Sequence, residues 1–141
     1  MESLEFDALR GGALVLVDSA PVIYWLEAHP RNARRYARLF ERQAAGEILF
    51  AITTTAIAEI LTGPLGAGQE ALVRRYRGVF ESWQVVPLTF EIAEGAARLR
   101  ARFRLKLPDA IQAASALAVG ADALVTHDRD FRRIRGLNVM V

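Results

Sequence analysis

Hydrophobic and polar positions divide the chain into two kinds of segment that alternate along its length. The first kind is a short, continuous apolar run, such as Leu14-Val15-Leu16-Val17, which ends at Asp18. Apolar runs of this length are typical of strands that are buried on both faces of a sheet. Five strands are predicted on this basis, at 13–17, 48–52, 84–86, 123–126 and 137–141.

The second kind of segment carries apolar residues at three- and four-residue spacing. Ser, Thr or Asn precedes several of these segments and Gly or Pro follows them, as expected where helices begin and end. The predicted helices cover 19–29, 32–45, 56–62, 69–81, 90–103 and 108–119. The third is expected to end at Gly63-Pro64, because proline disfavours a helix interior. Single helical turns are predicted within 1–12 and within the loop 127–135.

Strands that alternate with helices predict βαβ units, joined by right-handed crossovers. The expected fold class is therefore α/β, with a mostly parallel five-stranded sheet and helices on both faces. A chain of 141 residues has the size of one domain. We predict an N-terminal extension at 1–12 followed by a single domain at 13–141.

Composition excludes several classes of protein. Hydrophobic residues make up 52% of the chain, but no apolar run reaches the roughly 18 residues of a membrane span. Residues 1–12 lack the long apolar region of a secretory signal, so we expect a cytoplasmic protein without membrane association. The chain has no Cys and only two His, which excludes disulfides and cysteine-based zinc sites. Any metal would be hard and bound by oxygen, such as Mg²⁺ or Mn²⁺.

Four acidic residues lie at or near the ends of the predicted elements: Asp18, Glu59, Asp109 and Asp128. Each has a simpler explanation on its own, as a helix cap, a helix-dipole partner, a polar helix face or a turn residue. In an open parallel sheet, however, ligands bind beyond the carboxyl ends of the strands. The joint occurrence of the four therefore favours a cluster over four separate explanations.

Clustered carboxylates repel one another, which raises their pKa values and costs stability unless a cation neutralises them. A Mg²⁺ or Mn²⁺ ion held by a few carboxylates keeps open positions for water and for phosphate oxygens. Such an ion activates water and stabilises a leaving oxygen. The acidic residues therefore predict hydrolysis of phosphodiester bonds.

Four motifs resemble those of the PIN-domain ribonucleases, and most closely the VapC-type toxins of toxin–antitoxin pairs. They are Val17-Asp18-Ser19, Ala58-Glu59-Ile60-Leu61, Leu107-Pro108-Asp109-Ala110-Ile111-Gln112-Ala113 and Leu124-Val125-Thr126-His127-Asp128-Arg129-Asp130-Phe131. Their order and spacing match from Leu14 to Val141. The resemblance implies a three-layer α/β/α fold and Mg²⁺- or Mn²⁺-dependent RNA cleavage that leaves 5′-phosphate and 3′-hydroxyl ends. It also implies a homodimer inhibited by a small cognate antitoxin.

The same resemblance implies roles for individual residues. Asp18, Glu59, Asp109 and Asp128 correspond to the metal-binding, catalytic acids. Ser19 and Thr126 correspond to supporting hydroxyl groups. Asp130 could assist or replace Asp128, or could be a solvated loop residue. The extension at 1–12 is longer than is usual before the first strand of such toxins, and its role is left open.

Positive charge is carried almost wholly by arginine, with Lys106 as the single lysine and a net charge of +2. Guanidinium groups match the geometry of phosphate and carboxylate, which favours an anionic partner. Arg129, Arg132 and Arg133 lie beside Asp128 and are candidate RNA contacts. A second set recurs at helical spacing, as either a solvated face or a tract for RNA or an acidic antitoxin: Arg31, Arg34, Arg35, Arg38 and Arg42.

Three other functions compete with that of a ribonuclease toxin. A PIN-type nuclease in RNA processing would share the chemistry but lack an antitoxin. A silent binding module would not need all four acids. A phosphate-receiver domain would need paired acids after the first strand, where this chain has Ser19-Ala20 after Asp18. His127 is interpreted as a loop residue, and Trp25 and Trp83 as core or dimer-interface aromatics.

Overall fold

A computed structural model describes residues 4–141. Five strands of this part of the chain form one parallel sheet. The strands of this part of the chain are β1 (Leu14–Val17), β2 (Leu49–Thr53), β3 (Gln84–Val86), β4 (Ala123–Val125) and β5 (Val139–Met140). They lie in the order β3-β2-β1-β4-β5, and each neighbouring pair is parallel. The predicted sheet is confirmed. β5 is shorter than predicted, because only Val139 and Met140 pair with β4.

The helices of the described chain are α1 (Ser19–Leu26), α2 (Asn32–Ala44), α3 (Thr54–Gly66), α4 (Glu70–Glu81), α5 (Phe90–Phe103) and α6 (Leu107–Ala118). Single 3-10 helical segments occur at Leu4–Ala8 and Arg129–Arg133, where helical turns are predicted. Within residues 4–141, no helix is both long and apolar enough to cross a membrane.

Each face of the sheet has its own hydrophobic core. On one face, Val15 and Val17 of β1 pack with residues of α1 to α4, and the fully buried Tyr36 lies among them. On the other face, Leu16 packs with residues of α5 and α6. Because β1 contributes alternate residues to both cores, it is buried on both faces. The predicted α/β/α architecture with three layers is confirmed.

The predicted end of α3 at Gly63-Pro64 is wrong, because the helix continues to Gly66 with Pro64 inside it. A proline usually excludes the preceding residue from the helical conformation by clashing with its Cβ. Gly63 has no Cβ, so that clash is absent here. Pro64 is also buried, and its packing offsets the hydrogen bond that its missing N–H cannot make.

The described part of the N-terminal segment is held on α2 by arginines. The side chain of Arg42 is only 9% exposed; its Nη1 donates to the Phe6 and Leu9 carbonyls at 2.9 and 2.7 Å. Arg38 Nε lies 2.7 Å from Asp7 Oδ1. A fully solvated arginine face on α2 is therefore a wrong interpretation. The boundary of the extension at residue 12 stays a prediction, and residues 1–3 lie outside the described chain.

Candidate active site

Asp18 lies at the carboxyl end of the central strand, where the chain turns into α1. Its backbone N–H donates to the carbonyl of Val125 in β4 at 2.8 Å, which extends the pairing of β1 with β4 one residue past the end of β1. Its side chain caps α1 by accepting from Ser19 N at 2.9 Å. The helix-cap explanation of Asp18 therefore holds, and it leaves the rest of the carboxylate to be accounted for.

Both carboxylate oxygens of Asp18 accept hydrogen bonds from side chains that are distant in sequence. Gln112 Nε2 donates to Oδ1 at 2.9 Å, and Thr126 Oγ1 donates to Oδ2 at 2.8 Å. The two donors are only about 1% and 0% exposed. Together with the Ser19 N–H, these two donors hold the carboxylate in one orientation. The contact from Thr126 is consistent with the supporting role predicted for that residue.

Gln112 takes its own orientation from Thr53, the last residue of β2. Thr53 Oγ1 accepts from Ala56 N at 2.9 Å as the cap of α3, so its hydrogen is free to donate to Gln112 Oε1. That bond places the Oε1 of the amide toward Thr53 and its NH₂ group toward Asp18. Thr53, Gln112 and Asp18 thus form one hydrogen-bond chain, in which Thr53 donates to Gln112 and Gln112 donates to Asp18.

Sequence reasoning assigned no role at the site to Gln112 or Thr53. The available signal for Gln112 was a polar residue inside the apolar run Ala110-Ile111-Gln112-Ala113-Ala114. Buried polar side chains are nearly always hydrogen-bonded, so a long amide in that run indicates a buried partner. The identity of that partner depends on the tertiary structure.

Thr126 also connects Asp18 to Asp128. Its Oγ1 donates to Asp18 and accepts from the Asp128 backbone N–H at 3.1 Å. Asp128 in turn caps the 3-10 segment by accepting from Asp130 N at 2.9 Å. Hydrogen bonds through Thr126 therefore connect the turn after β4 to the carboxylate of Asp18. The Asp128 side chain itself is exposed.

The carboxylates of Glu59 and Asp109 are close enough to the others to be affected by their charge. Partial burial, followed by repulsion from Asp18 and Asp109, raises the pKa of Glu59, and a hydrogen bond from Ser19 opposes this rise. Partial burial also raises the pKa of Asp109, with further contributions from Asp18, Asp128 and Asp130. The four predicted acids thus lie within one electrostatic neighbourhood, and Ser19 contacts two of them, Asp18 through its backbone and Glu59 through its side chain.

A cavity of about 150 Å³ opens beside Asp109 at this edge of the fold. Asp109, Asp128 and Asp130 line it from one helix start and one loop. Asp130 therefore faces the same space as its neighbours. The remaining lining residues come from the α5–α6 connection and the end of the 3-10 segment, and are Arg104, Leu105, Lys106 and Arg133.

The donor atoms at this edge suit a hard divalent cation, since they are all oxygens. In residues 4–141, no three acidic or histidine side chains stand close enough to hold an ion without moving. The raised pKa values of Glu59 and Asp109 come first from burial and then from repulsion by neighbouring acids, and a cation would relieve that repulsion. The residues therefore fit Mg²⁺ or Mn²⁺ in donor chemistry, with movement of the exposed Glu59 and Asp128 carboxylates required.

Most of the chain matches the model of a known protein family. The profile of the PIN domain matches residues 15–137, which is most of the chain. The chain belongs to the PIN domain family. No curated protein sequence matches it.

Solved structures with this fold include several toxin–antitoxin proteins. A toxin–antitoxin complex from Klebsiella pneumoniae matches with a TM-score of 0.71 and 25% identity, over 90% of this chain and 96% of that one. VapBC2 from Rickettsia felis matches with a TM-score of 0.72 and 19% identity, over 90% and 97%. Mycobacterium tuberculosis VapC20, described as a sarcin-ricin loop cleaving toxin, matches with a TM-score of 0.66 and 16% identity, over 84% and 92%.

In this PIN domain, His127 is turned toward the core. Its Nδ1 lies 2.7 Å from Tyr36 Oη, and burial raises the pKa of Tyr36 to about 12. Burial, with smaller effects from Arg35 and Arg129, lowers the pKa of His127. The imidazole therefore packs against the rings of Tyr24 and Tyr36.

The three arginines near Asp128 have different surroundings. Arg133 lines the cavity with Asp109 and Asp128. Arg132 points toward Glu5, with 3.9 Å between Nη2 and Oε1. Arg129 is exposed and is not among the residues that line the cavity. Their role as RNA contacts stays a prediction, and Arg133 has the placement that best suits it.

Proposed function

We propose that this PIN domain is a Mg²⁺- or Mn²⁺-dependent endoribonuclease that acts as the toxin of a type II toxin–antitoxin pair. The observation that carries the proposal is the arrangement of four carboxylates at one edge of the sheet. Asp18 is held in a fixed orientation by Gln112 and Thr126, while Glu59 and Asp109 have raised pKa values. Membership of the PIN family and the solved toxin–antitoxin neighbours support the same function.

In the proposed mechanism, Asp18, Glu59, Asp109 and Asp128 hold the cation. A bound Mg²⁺ or Mn²⁺ supplies an activated water and neutralises charge on the phosphate oxygens. Asp18 contributes a carboxylate whose position is set before substrate arrives, because two buried donors hold it. Hydrolysis of the P–O3′ bond, with the oxygen of water going to phosphorus and a proton to O3′, would leave 5′-phosphate and 3′-hydroxyl ends.

The proposal also includes two protein partners. A small cognate antitoxin is supported by the VapBC complexes among the structural neighbours. A homodimer is inferred from the resemblance to VapC-type toxins, and light scattering on the purified protein tests it. Growth arrest on expression, relieved by co-expression of a small neighbouring protein, would support a toxin over an RNA-processing nuclease.

Cleavage of a panel of structured and unstructured RNAs by purified protein tests the enzymatic part. Cleavage is expected with Mg²⁺ or Mn²⁺, and its loss is expected with a chelator and in Asp109→Asn. Glu70→Gln is the matched control, because Glu70 is an exposed acid at the first turn of α4, outside the site. Activity that persists in both the chelator and Asp109→Asn would reject the proposed site. No cleavage of any RNA by the wild type would reject the enzyme in favour of a binding module.

A further inference from the structure

Arg104 has an unusual backbone conformation for its residue type. It ends α5 with φ 54° and ψ 40°, in the left-handed region. Among the non-glycine residues of the described chain, only Ala28 and Arg104 have positive φ. Glycine is the usual residue at left-handed helix ends, because a Cβ is strained there.

The connection between α5 and α6 holds Arg104 in this conformation. Its N–H donates to the Arg100 carbonyl at 2.8 Å. Arg100 Nε then donates to the carbonyl of the buried Leu105 at 3.2 Å. Because the residues on either side are fixed, the direction in which Arg104 leaves the backbone is also fixed.

The fixed direction places Arg104 beside the acidic cavity. Arg104 is exposed and lines that cavity together with Lys106, Arg133 and Asp109. Within residues 4–141, its guanidinium takes part in no hydrogen bond or ion pair, although three carboxylates line the same cavity. No direct contact with a protein group within residues 4–141 therefore occupies the guanidinium.

Three cations at the mouth of a cavity lined by three acids suit a ligand that must approach against negative charge. A phosphodiester strand is such a ligand, since each phosphate needs a cation near it before it can come close to carboxylates. The strained backbone of Arg104 lies beside this cavity, and strained residues cluster at functional sites.

We propose that Arg104 binds a backbone phosphate of single-stranded RNA at the mouth of the Asp109 cavity, and that its left-handed backbone is retained because it aims the guanidinium there. This inference rests on the proposed ribonuclease function and adds a substrate-binding residue to it. Glycine at the same position would fit the backbone better and would lose the phosphate contact.

The test measures RNA binding and thermal stability together. A fluorescently labelled single-stranded RNA of mixed sequence is titrated with protein in a chelator, so that no cleavage occurs, at several salt concentrations. Arg104→Gly is expected to weaken binding roughly eightfold at about 0.05 M salt and to reduce the salt slope by about 0.7, as for one lost phosphate contact. Its Tm is expected to equal or exceed that of the wild type.

Three variants serve as controls. Ala28→Gly relieves the other strained position, away from the cavity, and should leave RNA binding unchanged. Arg104→Lys keeps the charge and should restore the salt slope. Arg74→Gln removes an exposed arginine of α4 and should not change the slope.

Each result has a distinct meaning. A wild-type salt slope in Arg104→Gly would overturn the phosphate contact, even if the wild type cleaves RNA and the proposed function stands. A lower Tm in Arg104→Gly would overturn the claim about backbone strain. A wild type that neither binds nor cleaves RNA would reject the proposed function, and this inference with it.

Discussion

The four acids fall into two regions with different surroundings, one around Asp18 and one around Asp109. Around Asp18, the buried side chains of Gln112 and Thr126 donate hydrogen bonds to the two carboxylate oxygens. Around Asp109, the carboxylate is half-buried, and its neighbours include both other acids and the cations Arg104, Lys106 and Arg133. Hydrogen bonds therefore set the geometry around Asp18, whereas partial burial and neighbouring charges act on Asp109. Substitutions in the first region should affect folding and activity together, and those in the second should separate the two.

The largest expected effect compares Asp18→Ala with Asp109→Ala. Removing the Asp18 carboxylate leaves the buried donors of Gln112 and Thr126 without an acceptor, and we expect a loss of about 3 kcal/mol in unfolding free energy. Asp109→Ala loses only a favourable helix-start charge and relieves repulsion, so a change within about 0.5 kcal/mol is expected. Urea unfolding at neutral pH in a chelator measures both. Equal losses would show that the two regions do not differ.

A second comparison breaks the hydrogen-bond chain behind Asp18. Gln112→Leu removes its hydrogen bonds to both Thr53 and Asp18, and Thr53→Val removes the one to Gln112. Each should cost about 1–2 kcal/mol of unfolding free energy. If the chain positions Asp18, kcat should fall about tenfold with KM unchanged. Thr62→Val is the matched control, because Thr62 bonds only the Ala58 carbonyl on the exposed side of α3. Full activity in Gln112→Leu would show that Thr126 alone positions Asp18.

A smaller effect concerns the pH dependence of stability. The pKa of Asp109 is raised above its ordinary 3.8 by burial and by neighbouring acids. Deprotonation therefore costs folding free energy, and the penalty is present above the folded-state pKa and absent below 3.8. In a chelator, Asp109→Asn should have a higher Tm than the wild type at pH near 7, and the gap should shrink as the pH falls.

Metal addition gives that experiment its control. Saturating Mg²⁺ should raise the Tm of the wild type by binding the folded state, and should raise that of Asp109→Asn less. Glu70→Gln, which lies outside the site, should follow the wild type throughout. A Tm gap between Asp109→Asn and the wild type that does not change with pH would contradict the electrostatic explanation.

The smallest expected effect compares two adjacent arginines. Arg133 lines the cavity, whereas Arg132 points toward Glu5. Arg133→Gln should weaken single-stranded RNA binding roughly fourfold at about 0.15 M salt and reduce the salt slope by about 0.7. Arg132→Gln should leave the slope unchanged. The reverse order of effects would place the RNA strand on the Arg132 side of the 3-10 segment.

Local sequence signals were enough to predict the strands and most helix boundaries. Apolar runs such as 13–17 report burial on both faces, and that property depends on the residues of the run alone. The end of α3 was missed because the effect of Pro64 depends on its packing and on the absence of a side chain at Gly63. Of the two interpretations of the α2 arginines, a fully solvated face was wrong because the partners of Arg38 and Arg42, such as Asp7 and the Phe6 carbonyl, lie in another segment.

By itself, the sequence determined the fold class, the edge of the sheet at which the acids would meet, and the residue types available to hold a cation. These follow from periodicity and strand order, which local patterns encode. Only the tertiary structure decided that Gln112 and Thr53 orient Asp18, since these residues are 59 positions apart. It also decided that Arg104 lines the cavity beside Asp109 without a hydrogen bond or ion pair of its guanidinium within residues 4–141. Hydrogen bonds and charge balance act over a few ångströms in space, and no local pattern records which distant residues come that close.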